Sequence, residues 1–246
     1  MTDFCIETTA IHDIYVDEFN VNIIPLVKKL PNTQFVVVTD LPDKVTKSDN
    51  LKIVDIKKYT PTIFKKRYDH EGGFFEILQA TRFGIYEANN LGYLKVLHIN
   101  TDAIWCDHVN ESNISNHFKG MLFDMGAHPI SKWFGVDQKI DFLRKYIKSE
   151  DELKIYKGDE PVVFIQFDSK DQFLKFIYFM DKICKETFEN NNCFETGMGT
   201  ELVISYYLAD GKFFTDYESD YNKLFDVDNS HLHIKFYEDR DPDTIR

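Results

Sequence analysis

"LGYLKVLHINTDAIWCD", residues 91–107, decides how this chain is read. Val96, Leu97 and Ile99 form an apolar run of the kind shown by a strand buried on both faces. Asn100, Thr101 and Asp102 follow at once, and then the apolar Ala103, Ile104 and Trp105. A carboxylate between two apolar stretches is costly unless something satisfies it. The partner is a backbone turn, an arginine or a metal ion, and the run by itself leaves all three open.

Upstream, "FFEILQATRFGIYEANNLG" (74–92) carries apolar residues at 75, 78, 85 and 91, which predicts an amphipathic helix closed by Gly92. The polar, basic stretch "KKYTPTIFKKRYDHEGG" (57–73) ahead of it reads as a loop. Three strands are expected before that: "DFCIETTAI" (3–11), "TQFVVVTDL" (33–41) and "NLKIVDI" (50–56). A short helix, "VNIIPLVKKL" (21–30), lies between the first two, with Asn22 as its N-cap and Pro25 tolerated in its first turn. This β-α-β-β-α-β order predicts an α/β fold with a mostly parallel central sheet flanked by helices.

The second half reads less regularly. Strands are expected at 119–126, 160–168, 211–217 and 230–237, and helices at 136–148, 169–188 and 199–209. The 169–188 helix is the clearest, with Phe173, Phe176, Ile177, Met180, Cys184 and Phe188 on one face. No repeat and no Pro- or Gly-rich linker divides the chain, so a single domain over residues 1–246 is expected.

Composition narrows the function. Hydrophobic residues make up 43% of the chain, with 22 Phe, which is enough for a sizeable core and argues against disorder. The net charge of −12 disfavours nucleic acid as a partner, and it means that binding any anion requires local cations or a metal. Cys5, Cys106, Cys184 and Cys193 have no C-x-x-C spacing, so neither a structural zinc site nor a disulfide framework is indicated. No signal peptide and no membrane span is apparent, and a cytoplasmic location is the expectation. The N-x-S sequons at Asn110 and Asn113 then read as accidental. Dinucleotide, P-loop, nucleophile-elbow and H-E-x-x-H motifs are absent. "GMGTE" (197–201) places two glycines at an expected helix start, either an ordinary loop pair or a phosphate cradle.

Ligands of open α/β sheets bind beyond the carboxyl ends of the strands. Asp102 ends the fourth expected strand, Asp40 ends the second, and Thr8 and Thr9 lie late in the first. Mg²⁺ or Mn²⁺ takes oxygen ligands and commonly bridges a carboxylate to a diphosphate, so Asp102 is a candidate ligand. Asn100, two residues back, projects to the same side of an extended chain. The competing reading is that Asn and Asp are ordinary turn residues after a strand.

"KVLHINTDAIW" resembles the D-x-D region of the GT-A-fold glycosyltransferases, which use nucleotide-sugar donors. "FVVVTD" is similar to that family's second strand, and "LQATRFGIYEANNLGYLKVLHINTD" to its helix and D-x-D strand. The nearest resemblance is to glycosyltransferases encoded by large algal DNA viruses, which would put a viral protein in the host cytoplasm. The resemblance implies a GT-A-like domain whose residues 1–107 bind the nucleotide and whose residues 108–246 form the acceptor side. It implies transfer of a sugar, UDP-linked by expectation, to a glycan or glycoprotein, with Mn²⁺ or Mg²⁺ as cofactor. Donor-binding positions would be Thr8, Thr9, Asp40, Arg82, Asn100 and Asp102. Metal ligands would be Asp102 and Asn100, with His233 or His231 returning from "SHLHIKFY". One departure stands out: the first position of D-x-D is Asn100, not Asp, which weakens the expected hold on the metal.

The chemistry suggests further roles. Negative charge grows on the diphosphate as the sugar–phosphate bond breaks, and Arg82 or the Lys65–Lys66–Arg67 cluster can meet it. Arg82 reads equally as a structural ion pair, and the cluster as a solvated loop. If the enzyme inverts, a general base is needed, and the candidates are Glu201, Asp124 and Glu195. Glu201 also reads as a favourable charge in a first helical turn. Two other functions stay open: a sugar nucleotidyltransferase, although "ETTAIHD" lacks the glycine-rich loop expected there, and a non-catalytic glycan-binding or structural protein on the same scaffold.

Overall fold

The computed structural model describes residues 1–58, 73–118, 128–129, 157–158 and 162–178. Strand β1 (Phe4–Ala10) leads into helix α1 (His12–Glu18), a π-helical turn (Phe19–Ile23) and helix α2 (Ile24–Lys29). Strands β2 (Gln34–Thr39) and β3 (Leu51–Asp55) follow, then helix α3 (Gly73–Asn90) and strand β4 (Lys95–Ile99). Helix α4 (Glu111–His117), a short antiparallel pair β5 (His128–Pro129) and β6 (Lys157–Gly158), strand β7 (Val162–Gln166) and a helix α5 over 170–178 complete the described chain.

The main sheet has the order β3-β2-β1-β4-β7. Its first three pairings are parallel, and β7 runs antiparallel to β4. The α/β architecture expected from sequence is therefore present, on a mixed five-stranded sheet. β1 is followed by its neighbour on one side, and the chain then returns after β3 to β4 on the other side. The strand order thus reverses between β1 and β4.

The two faces of β1 carry different chemistry. Phe4, Ile6 and Ala10 join Phe35, Val37, Leu97 and Ile99 under the α1–α2 layer, in a core that includes Val16, Phe19, Ile23, Leu26 and Val27. Cys5, Glu7 and Thr9 face the other way, toward α3. Glu7 and His98 are level across the β1–β4 pair, both fully buried, with His98 Nδ1 2.5 Å from Glu7 Oε2. The Thr9 and Thr81 hydroxyls are 3.0 Å apart on the same face, and Lys52 pairs with Glu87 beside them. At Gly84 the helix lies against Glu7 so closely that an added Cβ would come within 2.2 Å of Oε1.

Gly92 closes α3 at φ 96°, as the sequence predicts, and the Tyr93 N–H reaches back to the Ala88 carbonyl. α5 lies on the α3 side: Phe173 stacks against Tyr86 at 6.5 Å and packs edge-on to Phe167. Beneath the opposite face, Phe118 contacts Phe4 and Phe164.

The first helix differs from expectation. It begins at His12 rather than near residue 21, and Asn22 sits in the π-helical turn instead of capping a new helix. Pro25 has no N–H to donate, so a regular helix through this point would lose a bond. The chain widens just before it, and the Ile24 N–H bonds to the Phe19 carbonyl five residues back. The strands and helices expected at 119–126, 136–148, 199–209, 211–217 and 230–237 lie outside the described residues. Among the described residues no helix is long and apolar enough to cross a membrane.

Two tests bear on this core. Gly84→Ala pushes a methyl group into Glu7 and should destabilise the protein by about 1–3 kcal/mol in chemical denaturation. A wild-type midpoint would mean that α3 shifts freely. Burial pushes the Glu7 carboxyl above its ordinary value of 4.5, with the His98 ring opposing that rise. A raised carboxyl contributes stability below pH 4.5, and that contribution is lost as pH climbs through the folded value. Wild-type stability should therefore fall relative to Glu7→Gln as pH rises from about 4 toward 7. A pH-independent difference between the two would rule out Glu7 as the titrating group.

Candidate functional site

The site is built where the strand order reverses. Two residues beyond the Glu7–His98 pair, β1 has reached Thr9 and β4 has given way to Asn100. Open α/β sheets leave a crevice at such a point, beyond the carboxyl ends of the strands.

Asn100 to Ala103 form a tight turn, in which the Ala103 N–H donates to the Asn100 carbonyl at 3.1 Å. Asp102 is carried at its third position and is 8% exposed. The turn is held from the helix layer below. The Thr101 hydroxyl donates to Glu18 Oε2 at 2.7 Å, and the Asn22 amide donates to the Thr101 carbonyl at 3.0 Å. Asn22 acts again through its own carbonyl, which accepts from Trp105 Nε1 at 3.0 Å.

Further along, Lys29 donates to the Asp107 carbonyl and lies 4.6 Å from the Trp105 ring centre. Glu111 accepts from the Asn32 N–H at 2.8 Å. The segment after β4 therefore folds back along the α1–α2 layer and is tied to residues 18–32 at four successive places. Ala103 and Val109 drop into the core between the ties. This accounts for the apolar residues on either side of the acidic group.

At the end of β2, Asp40 is almost fully buried and accepts from the His12 backbone N–H at 2.8 Å. His12 has φ 73°, the one non-glycine residue with a left-handed backbone among those described. Its ring nitrogen Nδ1 lies 4.0 Å from Asp40 Oδ2. Asp40, expected to meet a donor, thus organises the turn between β1 and α1.

The two threonines diverge. Thr8 is buried, and its hydroxyl has no hydrogen-bond partner among the described residues. The Thr9 hydroxyl is bonded inward, to Thr81 and Glu7. Arg82 follows Thr81 on α3, so it lies near the level of Thr9, with its guanidinium 4.2 Å from the Phe83 ring centre. Thus Asn100, Asp102, Asp40 and Thr9 come to one edge of the sheet. Asp124, Glu195, Glu201, His231 and His233 lie outside the described residues, as do Lys65, Lys66 and Arg67.

Asp102 and Asn100 supply oxygen donors of the type that Mg²⁺ and Mn²⁺ prefer. Among the described residues no three His, Cys, Asp or Glu side chains converge to hold a metal. The donor set here fits a cation as a partial one. A bound ion would take its other ligands from diphosphate oxygens or water.

Sequence reading missed Glu18, Asn22 and His12. Asn22 read only as a helix N-cap and Glu18 lay outside the expected elements, because their partners are 79 to 83 positions away. His12 gave no signal, because it lies in the stretch between the expected strand (3–11) and the expected helix (21–30). Thr101→Val keeps the shape of the side chain but removes the hydroxyl that donates to buried Glu18. The cost should be about 1–3 kcal/mol of stability, measured by denaturation. A neutral result would mean that the turn does not depend on this bond.

Comparison with protein-family models finds no match to this chain, and comparison with curated proteins finds none either.

Proposed function

We propose that the protein is a metal-dependent glycosyltransferase that binds a nucleotide-diphosphate sugar at the carboxyl edge of β1, β2 and β4. One observation carries the reading: the Asn100–Ala103 turn presents a largely buried carboxylate beside β1, at the point where the strand order reverses. An anionic donor needs positive charge in a chain of net charge −12, and a divalent cation on Asp102 would provide it. When bound, that cation would act as a Lewis acid toward the departing diphosphate.

The protein's own groups then have defined tasks. Asp102 holds the cation, and Asn100 serves it or a ribose hydroxyl with its amide oxygen. Glu18 and Asn22 keep the turn in place. Arg82 adds a charged contact to the diphosphate. The donor is taken to be a UDP-sugar and the acceptor a glycan or glycoprotein. His233 or His231 would complete the metal site, and Glu201, Asp124 or Glu195 would serve as base to an acceptor hydroxyl in an inverting reaction.

Calorimetric titration of UDP in the presence of Mn²⁺ tests the reading. Micromolar binding is expected, lost on addition of EDTA and lost in Asp102→Ala. If UDP binds no better with metal, and Asp102→Ala changes stability alone, the turn is structural and the glycosyltransferase reading fails.

A further inference from the structure

The turn that joins β1 to α1 holds a feature the proposed function has not used. His12 adopts φ 73°, at a cost of about 1–2 kcal/mol relative to an ordinary backbone conformation. Asparagine or glycine would occupy this position with less strain. Packing does not call for a histidine either, since 42% of its side chain is open to solvent.

The surroundings nevertheless hold the residue closely. Asp40, with 2% of its side chain exposed, takes the His12 N–H on one oxygen and has the other 4.0 Å from Nδ1. The bond to the backbone N–H fixes where the His12 ring starts from, and the second carboxylate oxygen lies on the Nδ1 side of that ring. The residue stands at the carboxyl end of β1, the strand that flanks the reversal of order, so it belongs to the same edge as Asn100 and Asp102.

Two lysines among the described residues near this edge face carboxylates of their own. Lys44 pairs with Asp13, and Lys58 lies near Asp55. We infer that His12 is a ligand-contacting residue: held by Asp40, it donates a hydrogen bond to a phosphate oxygen of the bound nucleotide. The inference rests on the proposed nucleotide site and adds a named contact to it. The backbone strain is retained because the ring serves the ligand, and strain of this kind concentrates at binding sites.

The test compares wild type, His12→Asn and Asp102→Ala in denaturation and in titration with UDP and with uridine, all with Mn²⁺. His12→Asn should be as stable as wild type or more so, because asparagine tolerates a left-handed backbone. It should nevertheless bind UDP at least about tenfold more weakly, the loss of one charge-assisted hydrogen bond. Uridine, which has no phosphate, should bind the variant and wild type alike. His12→Gly, also suited to this φ, should repeat the pattern and guards against an accident of one substitution.

Two outcomes would overturn the inference, and they are distinguishable. If His12→Asn and His12→Gly bind UDP as wild type does while Asp102→Ala does not, the nucleotide site stands and His12 has no part in it. If wild type itself shows no metal-dependent UDP binding, the nucleotide reading falls and this contact falls with it.

Discussion

Strand β1 has a neighbour on each edge and helices over both faces, so no polar group on it can turn to water. That constraint shapes the rest. Glu7 lies in the middle of this strand, and an isolated carboxylate there would be untenable. The sequence answers with His98 at the level position of β4, with Thr9 beside it, and with a glycine in α3 where any side chain would collide. The pair ties the two strands between which the strand order reverses. Whatever separates β1 from β4 must also pull apart a buried acid and its imidazole.

The opposite face of the sheet solves a different problem. The chain leaving β4 has to descend past α1 and α2, and it carries polar backbone with it. Four of its residues meet partners along the helix layer and the turn after it: Thr101 on Glu18 and Asn22, Trp105 on Asn22, Asp107 on Lys29, and Glu111 on Asn32. The π-helical turn brings Asn22 to this path. A regular α-helix through Pro25 would present a different register of side chains to the descending segment. The irregularity of the helix and the position of the acidic turn are therefore one structural fact.

Much of the first half was legible in the sequence, for reasons that are local. "FVVVTD" and "KVLHI" have strand-forming apolar runs, and Gly92 marks a helix end through its own backbone freedom. The expected strand at 160–168 appears as β7, but nothing in "PVVFIQ" says that it runs antiparallel. Direction is decided by the pairing partner and by the chain between. The start of α1 was also missed, although Val16, Phe19, Ile23 and Leu26 or Val27 recur at helical spacing and all are buried. Asn22 and Pro25 looked like a helix beginning because a widened turn mimics one in sequence. At the site, the strand-end positions of Asp40 and Asp102 could be read directly. What holds them could not, because Glu18, Asn22 and His12 act across contacts with no spacing rule.

Asp40 and Asp102 show how similar sequence contexts come to serve different ends. Both follow apolar strand runs, and both are nearly buried at the same edge of the sheet. Asp40 accepts from the His12 backbone and fixes a left-handed turn. Asp102 rides on a turn that Thr101 ties to Glu18 and Asn22. In the turn that carries Asp102, the bracing falls to Thr101. Two carboxylates in like sequence contexts thus sit in two kinds of turn, one built around the acid's own bond to a backbone N–H and one anchored through the hydroxyl and carbonyl of the residue before the acid.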